Sequence, residues 1–248
     1  MKKNRFMQKT LNLSPNYSKK MRPKSQIKYV IFHYTGMQSE IESIKRLKNP
    51  RSRVSCHYLI NRKGNIIQMV HENKIAWHAG NSKWKKISNL NTSSIGIELV
   101  NKGEKYGYEN FPNLQIKSLL LLCKFLKTKY KIKKENFLGH SDIAPLRKID
   151  PGYKFPWKIL SSFGFGQWYK FSKKYKIEFD NEEYRNLFFN NLYKIGYRYF
   201  KLKQISKKDK KVISAFQQKY LPKKVNGKID EKTLKISYFL AKKKKNLI

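Results

Sequence analysis

The chain has 248 residues, 40% of them hydrophobic, which is enough for one sizeable core plus a smaller module and too much for a disordered chain. Its 56 Lys and Arg against 16 Asp and Glu give a net charge of +40, an attraction for any polyanion: nucleic acid, anionic lipid or anionic wall polymer. Only nine of the basic residues are Arg, the side chain that makes bidentate base and phosphate contacts, so no specific nucleic-acid partner is expected.

Residues 1–26, rich in Lys, Asn and Pro, show no periodicity and read as an N-terminal arm. They contain no apolar run of signal-peptide type, and no later run is long enough to span a membrane. On that basis the expected location is cytoplasmic. "IKYVIFHYT" (27–35) is a nearly continuous apolar run and predicts a central strand buried on both faces. "SEIESIKRLKNP" predicts a short helix stopped near Pro50. "CHYLINRKGNIIQMV" predicts a hairpin turning at "NRKGN". "SSIGIELVN" predicts another strand, with Ile95, Ile97 and Leu99 on one face and Gly96 and Glu98 on the other. A Leu-rich helix follows, with Asn113 as its cap and Ile116, Leu119, Leu122, Cys123, Leu126 and Tyr130 on one face. Cys123 on that face is a core thiol, and the only other cysteine is Cys56, so no disulfide framework is indicated. Strands mixed with covering helices predict an α/β domain over 27–160, with a mixed central sheet flanked by helices.

The rest of the chain changes character. "FDNEEYRNLFFNNLYKIGY" offers Asp180 as an N-cap, Glu183 three residues on, and apolar Tyr184, Leu187, Phe188, Leu192 and Ile195. "SKKDKKVISAFQQKY" repeats the device with Ser206 and Asp209 and buries Val212, Ile213 and Phe216. "VNGKIDEKTLKISYFL" turns at Asn226–Gly227 and caps a third helix with Asp230. This predicts a linker over 161–178, a three-helix bundle over 179–240 and a basic tail over 241–248.

The loop "GHSDIAPLRKIDPG" (139–152) carries a histidine, two aspartates and two cations. Lys148 and Asp150 are two residues apart, so in an extended segment they leave the same side. His140 and Asp150 meet if the loop folds back. His33, at the end of the buried strand, offers a third ligand. Taken singly, each is most simply a hydrogen-bonded core histidine or a turn aspartate. Together, two histidines and an aspartate with one position open are a way to hold a catalytic Zn2+. Glu98 is awkward in a buried strand unless paired or employed, and beside an activated water it would serve as base. Lys148 would then stabilise the developing oxyanion. Tyr34, Trp77 and His78 are candidates for contact with substrate.

The motifs "IFHYTG", "SCHYLINRKGNIIQMV", "AWHAGNS", "SIGIELVN" and "GHSDIAPLRKIDPG" resemble, in order over residues 26–160, those of the type 2 N-acetylmuramoyl-L-alanine amidases. The resemblance is to their AmiD/AmpD-like zinc branch, related to peptidoglycan recognition proteins and phage amidases. It implies zinc at His33, His140 and Asp150, a base at Glu98, and transition-state help from Lys148. The implied reaction is hydrolysis of the amide between the lactyl group of muramic acid and L-alanine, in peptidoglycan or muropeptides, by a monomer. Some members of this larger family carry a tyrosine near the position of Cys56, and its absence here puts the weight on Glu98. The alternative is a wall-recognition protein without turnover. The tail resembles the three-helix peptidoglycan-binding type 1 module, which implies that anchoring and chemistry are separable and gives the cell envelope as the alternative location.

Overall fold

The computed structural model describes residues 9–170, 181–202 and 204–242. Asp180, much of the expected linker and the end of the basic tail lie outside them. In chain order the strands are β1 (Lys9–Leu11), β2 (Tyr17–Met21), β3 (Tyr29–Tyr34), β4 (Tyr58–Ile60), β5 (Ile66–Gln68), β6 (Lys74–Ala76), β7 (Lys83–Trp84), β8 (Ile87–Ser88), β9 (Ser94–Leu99) and β10 (Phe137–Gly139). The α-helices are α1 (Glu40–Lys48), α2 (Asn113–Tyr130), α3 (His140–Ile143), α4 (Trp157–Ser162), α5 (Asn181–Ile195), α6 (Asp209–Tyr220) and α7 (Glu231–Lys242). The chain divides into two compact units. One takes in Leu90–Gly139 and the described residues up to Gly80; the other takes in Asn81–Asn89 and the described residues from His140 on.

The first unit is built on a mixed six-stranded sheet in the order β1-β5-β4-β9-β3-β10. The expected α/β architecture is present, and β3 lies inside the sheet, parallel to both β9 and β10. Its residues Tyr29 to His33 are all buried, as the unbroken apolar run requires. The hairpin at "NRKGN" forms as β4 and β5. Ser39 caps α1 by accepting from the Glu42 N–H, and Leu47 buries against Cys56, Leu59, Ile67, Met69 and Val100.

Helix α2 buries Leu119, Leu122, Cys123 and Leu126 as expected, but Asn113 is its first helical residue and not its cap. Pro112 occupies the cap position without a side-chain bond. Gln115, unmarked by the apolar pattern, is fully buried and donates its amide to the carbonyls of Ile60 and Val100, which ties α2 to the ends of β4 and β9. The arm also holds elements that its sequence did not predict. β1 extends the sheet beside β5, and β2 pairs with β6. Neither strand buries a side chain, so neither leaves an apolar alternation to read.

The second unit contains the β7–β8 hairpin and α3 to α7. Its helices bury Phe188, Leu192 and Ile195 from α5, Val212, Ile213 and Phe216 from α6, and Leu234 and Leu240 from α7. The Phe188 and Phe216 rings meet edge to face at 5.3 Å. Asp230 caps α7 by accepting the Thr233 N–H at 2.7 Å. Asp209 opens α6 and accepts the Ser206 N–H at 3.2 Å, but Lys208 and not Ser206 occupies the cap position, without a side-chain bond. Gly227 takes a φ of +69°, and the fully buried Gln217 holds that turn by accepting the N–H groups of Asn226 and Gly227. No described helix is long and apolar enough to cross a membrane.

Candidate active site

Parallel pairing sets the first two candidate ligands. β10 runs beside β3 with Gly139 opposite Phe32, so the next residue on each strand path is His140 and His33. The chain then loops through "SDIAPLRKI" and returns with Asp150, whose carbonyl accepts the Ser141 N–H at 2.8 Å. The outcome is a group of three buried residues, His33, His140 and Asp150, each with a ligand atom within 4.8 Å of the others. His140 Nδ1 lies 3.0 Å from Asp150 Oδ2. Two imidazoles and a carboxylate so arranged are able to hold a metal ion, and this donor set suits zinc with a position left open.

His33 is held from behind. Its Nε2 lies 3.1 Å from Nδ1 of His78, whose Nε2 lies 3.2 Å from Ser94 Oγ. The N–H groups of His78 and Ala79 both donate to the side-chain carbonyl of Asn91. A third imidazole, His57, meets His78 edge to face at 5.6 Å. It accepts the Gly96 N–H on Nδ1, and Arg22 Nη2 lies 2.7 Å from its Nε2. Burial, then the Arg22 charge, pushes the His57 imidazole well below its ordinary range, so it stays neutral. Gly96 exists for this packing: a Cβ there would lie 2.4 Å from the His78 ring.

The remaining candidates fall at several places. Glu98 is the register partner of His33 on β9, and paired residues on adjacent strands share a sheet face; its Oε2 is closed off from solvent. Cys56 is fully buried beside Glu98, and burial, then the Glu98 charge, raises its thiol well above the usual range. That thiol therefore stays protonated. Both cysteines are free. Lys148 is half-buried on the loop, its N–H donating to the Ala144 carbonyl. Tyr34 and Trp77 are half-buried, Tyr34 tilted against Tyr108 at 5.5 Å and Trp77 joined through its N–H to Ser55 Oγ. His78, read from sequence beside Trp77 as a groove residue, is buried behind His33.

Sequence reasoning did not single out Arg147, Arg22, Ser94 or Asn91. Arg147 Nη2 lies 3.3 Å from His140 Nε2, and its guanidinium donates twice to the Asn81 carbonyl. The one signal for it was its place in the motif loop, where it counted only as a cation.

A family model described as N-acetylmuramoyl-L-alanine amidase matches residues 23–153. The chain is 36% identical over 239 residues to N-acetylmuramoyl-L-alanine amidase AmiD of Escherichia coli, covering 88% of this chain and 83% of that one. It is also 36% identical over 168 residues to the 1,6-anhydro-N-acetylmuramyl-L-alanine amidase AmpD of Haemophilus influenzae, covering 60% and 89%. Among solved structures, E. coli AmiD in complex with the substrate anhydro-N-acetylmuramic acid-L-Ala-D-gamma-Glu-L-Lys superposes with a TM-score of 0.77 at 33% identity, over 91% of this chain and 92% of that one. Pseudomonas aeruginosa AMPDH3 in complex with anhydromuramic pentapeptide gives the same TM-score at 29% identity, over 94% and 98%. The matched segment spans β3, β9, β10 and the whole motif loop, and so takes in every candidate ligand; this chain belongs to the N-acetylmuramoyl-L-alanine amidase family.

Proposed function

We propose that this amidase works with zinc held by His33, His140 and Asp150, and that it cleaves the lactyl–L-alanine amide of peptidoglycan or its muropeptides. The observation that carries the reading is the convergence of three buried donors from two separate stretches of chain. A zinc ion there supplies Lewis-acid polarisation of the amide carbonyl and makes a water more acidic. The protein's own groups do the rest. His78 fixes the His33 ring through its Nε2, and the His140 ring turns its Nδ1 toward Asp150, its fellow donor. Glu98 accepts a proton from the water that attacks the carbonyl carbon and delivers it to the L-alanine nitrogen as the C–N bond breaks. Lys148 presents its ammonium to the carbonyl oxygen as negative charge develops on it. Tyr34 and Trp77 contact the muramoyl peptide. The anhydromuropeptides bound by the two structural neighbours support that substrate class.

The test is metal analysis of the purified protein beside its Asp150→Ala variant. The parent is expected to hold roughly one zinc per chain and the variant to lose both metal and activity. Full zinc occupancy with unchanged turnover in the variant contradicts the assignment.

A further inference from the structure

A buried ion pair joins the helical tail to the loop that carries two of the three candidate ligands. Asp142, on the short helix α3 two residues past His140, is 1% exposed. Its Oδ2 accepts from Lys219 Nζ on α6 at 2.6 Å, and its Oδ1 accepts from the Tyr197 hydroxyl just beyond α5. Lys219 is 5% exposed, and its ammonium sits 4.0 Å from the centre of the Trp157 ring on α4. Tyr197 is fully buried between Trp84 and Phe216, with ring centres 4.9 and 6.1 Å away. The neighbouring Gly196 accepts the Lys85 N–H at 2.8 Å, and a Cβ on it would meet the Trp84 ring at 2.5 Å. Every one of these residues lies in the second compact unit.

We infer that Lys219 and Tyr197 are positioning residues for the metal site, acting through Asp142, so that the tail is part of the catalytic apparatus and not only an appended binding module. Charges are buried at a cost, and removing one partner of a buried pair is strongly destabilising because it leaves the other uncompensated. Here the pair fixes both carboxylate oxygens of a residue on the same helical turn as His140. That turn is braced on its other side, where Ser141 N–H donates to the Asp150 carbonyl and His140 Nδ1 faces the Asp150 carboxylate. Two ligands and the Asp142 clamp thus form one framework. Removing the ammonium leaves an uncompensated carboxylate inside it, and α3 must shift to let water reach that carboxylate. Outer groups that orient metal ligands change metal affinity when altered, and that is the readout a merely structural role would not move.

The inference rests on the zinc reading, and the experiment separates the two. Zinc affinity is measured by competition with a chromogenic chelator on the full-length protein, at a temperature where circular dichroism shows each variant folded. Lys219→Met is expected to weaken zinc binding about 10- to 100-fold. Tyr197→Phe removes a single hydroxyl, spares the fold, and is expected to weaken binding at least about threefold. Lys219→Met with Asp142→Asn removes both charges and is expected to return affinity to within about threefold of the parent. Phe188→Leu loosens the same bundle without touching Asp142 and is expected to leave zinc binding unchanged. Parental affinity in both Lys219→Met and Tyr197→Phe overturns the inference, as does an equal loss in Phe188→Leu. A parent that binds no zinc overturns the metal reading and the clamp's purpose with it.

Discussion

Gly96 shows how far a single residue reaches into this site. Its missing side chain is the space that His78 fills, and His78 backs His33. Gly96→Ala is therefore expected to push His78 off His33, destabilising the fold by about 1–3 kcal/mol and weakening zinc binding. An unchanged melting temperature together with unchanged zinc affinity would refute that role. Glu98→Ala and Lys148→Ala are expected to keep the metal, because the roles proposed for both are toward water and substrate, while turnover falls roughly a hundredfold or more. Muropeptide hydrolysis at the parental rate in either variant removes that residue from the mechanism. The grouping of His33, His140 and Asp150 was legible in the sequence because few residue types bind metal and because the three fall in motifs that resemble those of a known family, although none stood out singly. Ser94, Arg147 and the supporting role of His78 were not, because a supporting residue is defined by what it touches across the fold, and contacts 16, 45 and 66 residues apart leave no local pattern.

Among elements, the joint between α2 and the sheet has its own pH signature. Glu72 is buried near the C-terminal end of α2, where its carboxylate accepts from Tyr58 on β4 and from Lys129 and Tyr130 on the helix. Burial pushes this carboxyl up, but the hydrogen bonds from Lys129, Tyr130 and Tyr58 outweigh it and hold the group below its ordinary value of 4.5. The folded state therefore favours the ionised form. Its contribution is complete above pH 4.5 and is lost as pH falls from there through the folded value, because the unfolded chain takes up the proton first. Urea midpoints measured across that range are expected to fall with acid less steeply in Glu72→Gln than in the parent; identical slopes would contradict the assignment. The buried strands and amphipathic helices were readable from their apolar runs. The two arm strands were not, because exposed edge strands carry no such run, and Pro112 displaced Asn113 as the cap of α2 because helix ends are set by backbone geometry within a residue or two.

At the scale of the whole molecule, the sequence separates an amidase segment from a basic helical tail, and its resemblances lead to the expectation that chemistry survives removal of the tail. The contacts of Lys219, Tyr197 and Gly196 with the motif loop and the β7–β8 hairpin give the opposite expectation. A chain ending before α5 is expected to bind zinc more weakly and to lose hydrolysis of small soluble muropeptides as well as of sacculi. Parental turnover of soluble muropeptides by that truncated chain would restore the tail as a separable module. These long-range pairings were not legible because Lys219 is one of 56 basic residues and nothing in its neighbourhood marks it as buried. Metal dependence of amide hydrolysis at the three-ligand site is tested by mass spectrometry of muropeptides incubated with metal-stripped and with zinc-restored protein. No cleavage is expected from the stripped protein and, on restoring zinc, a free lactyl carboxylate together with a peptide that begins at L-alanine. The same products from the stripped protein, at the same rate, would contradict metal dependence.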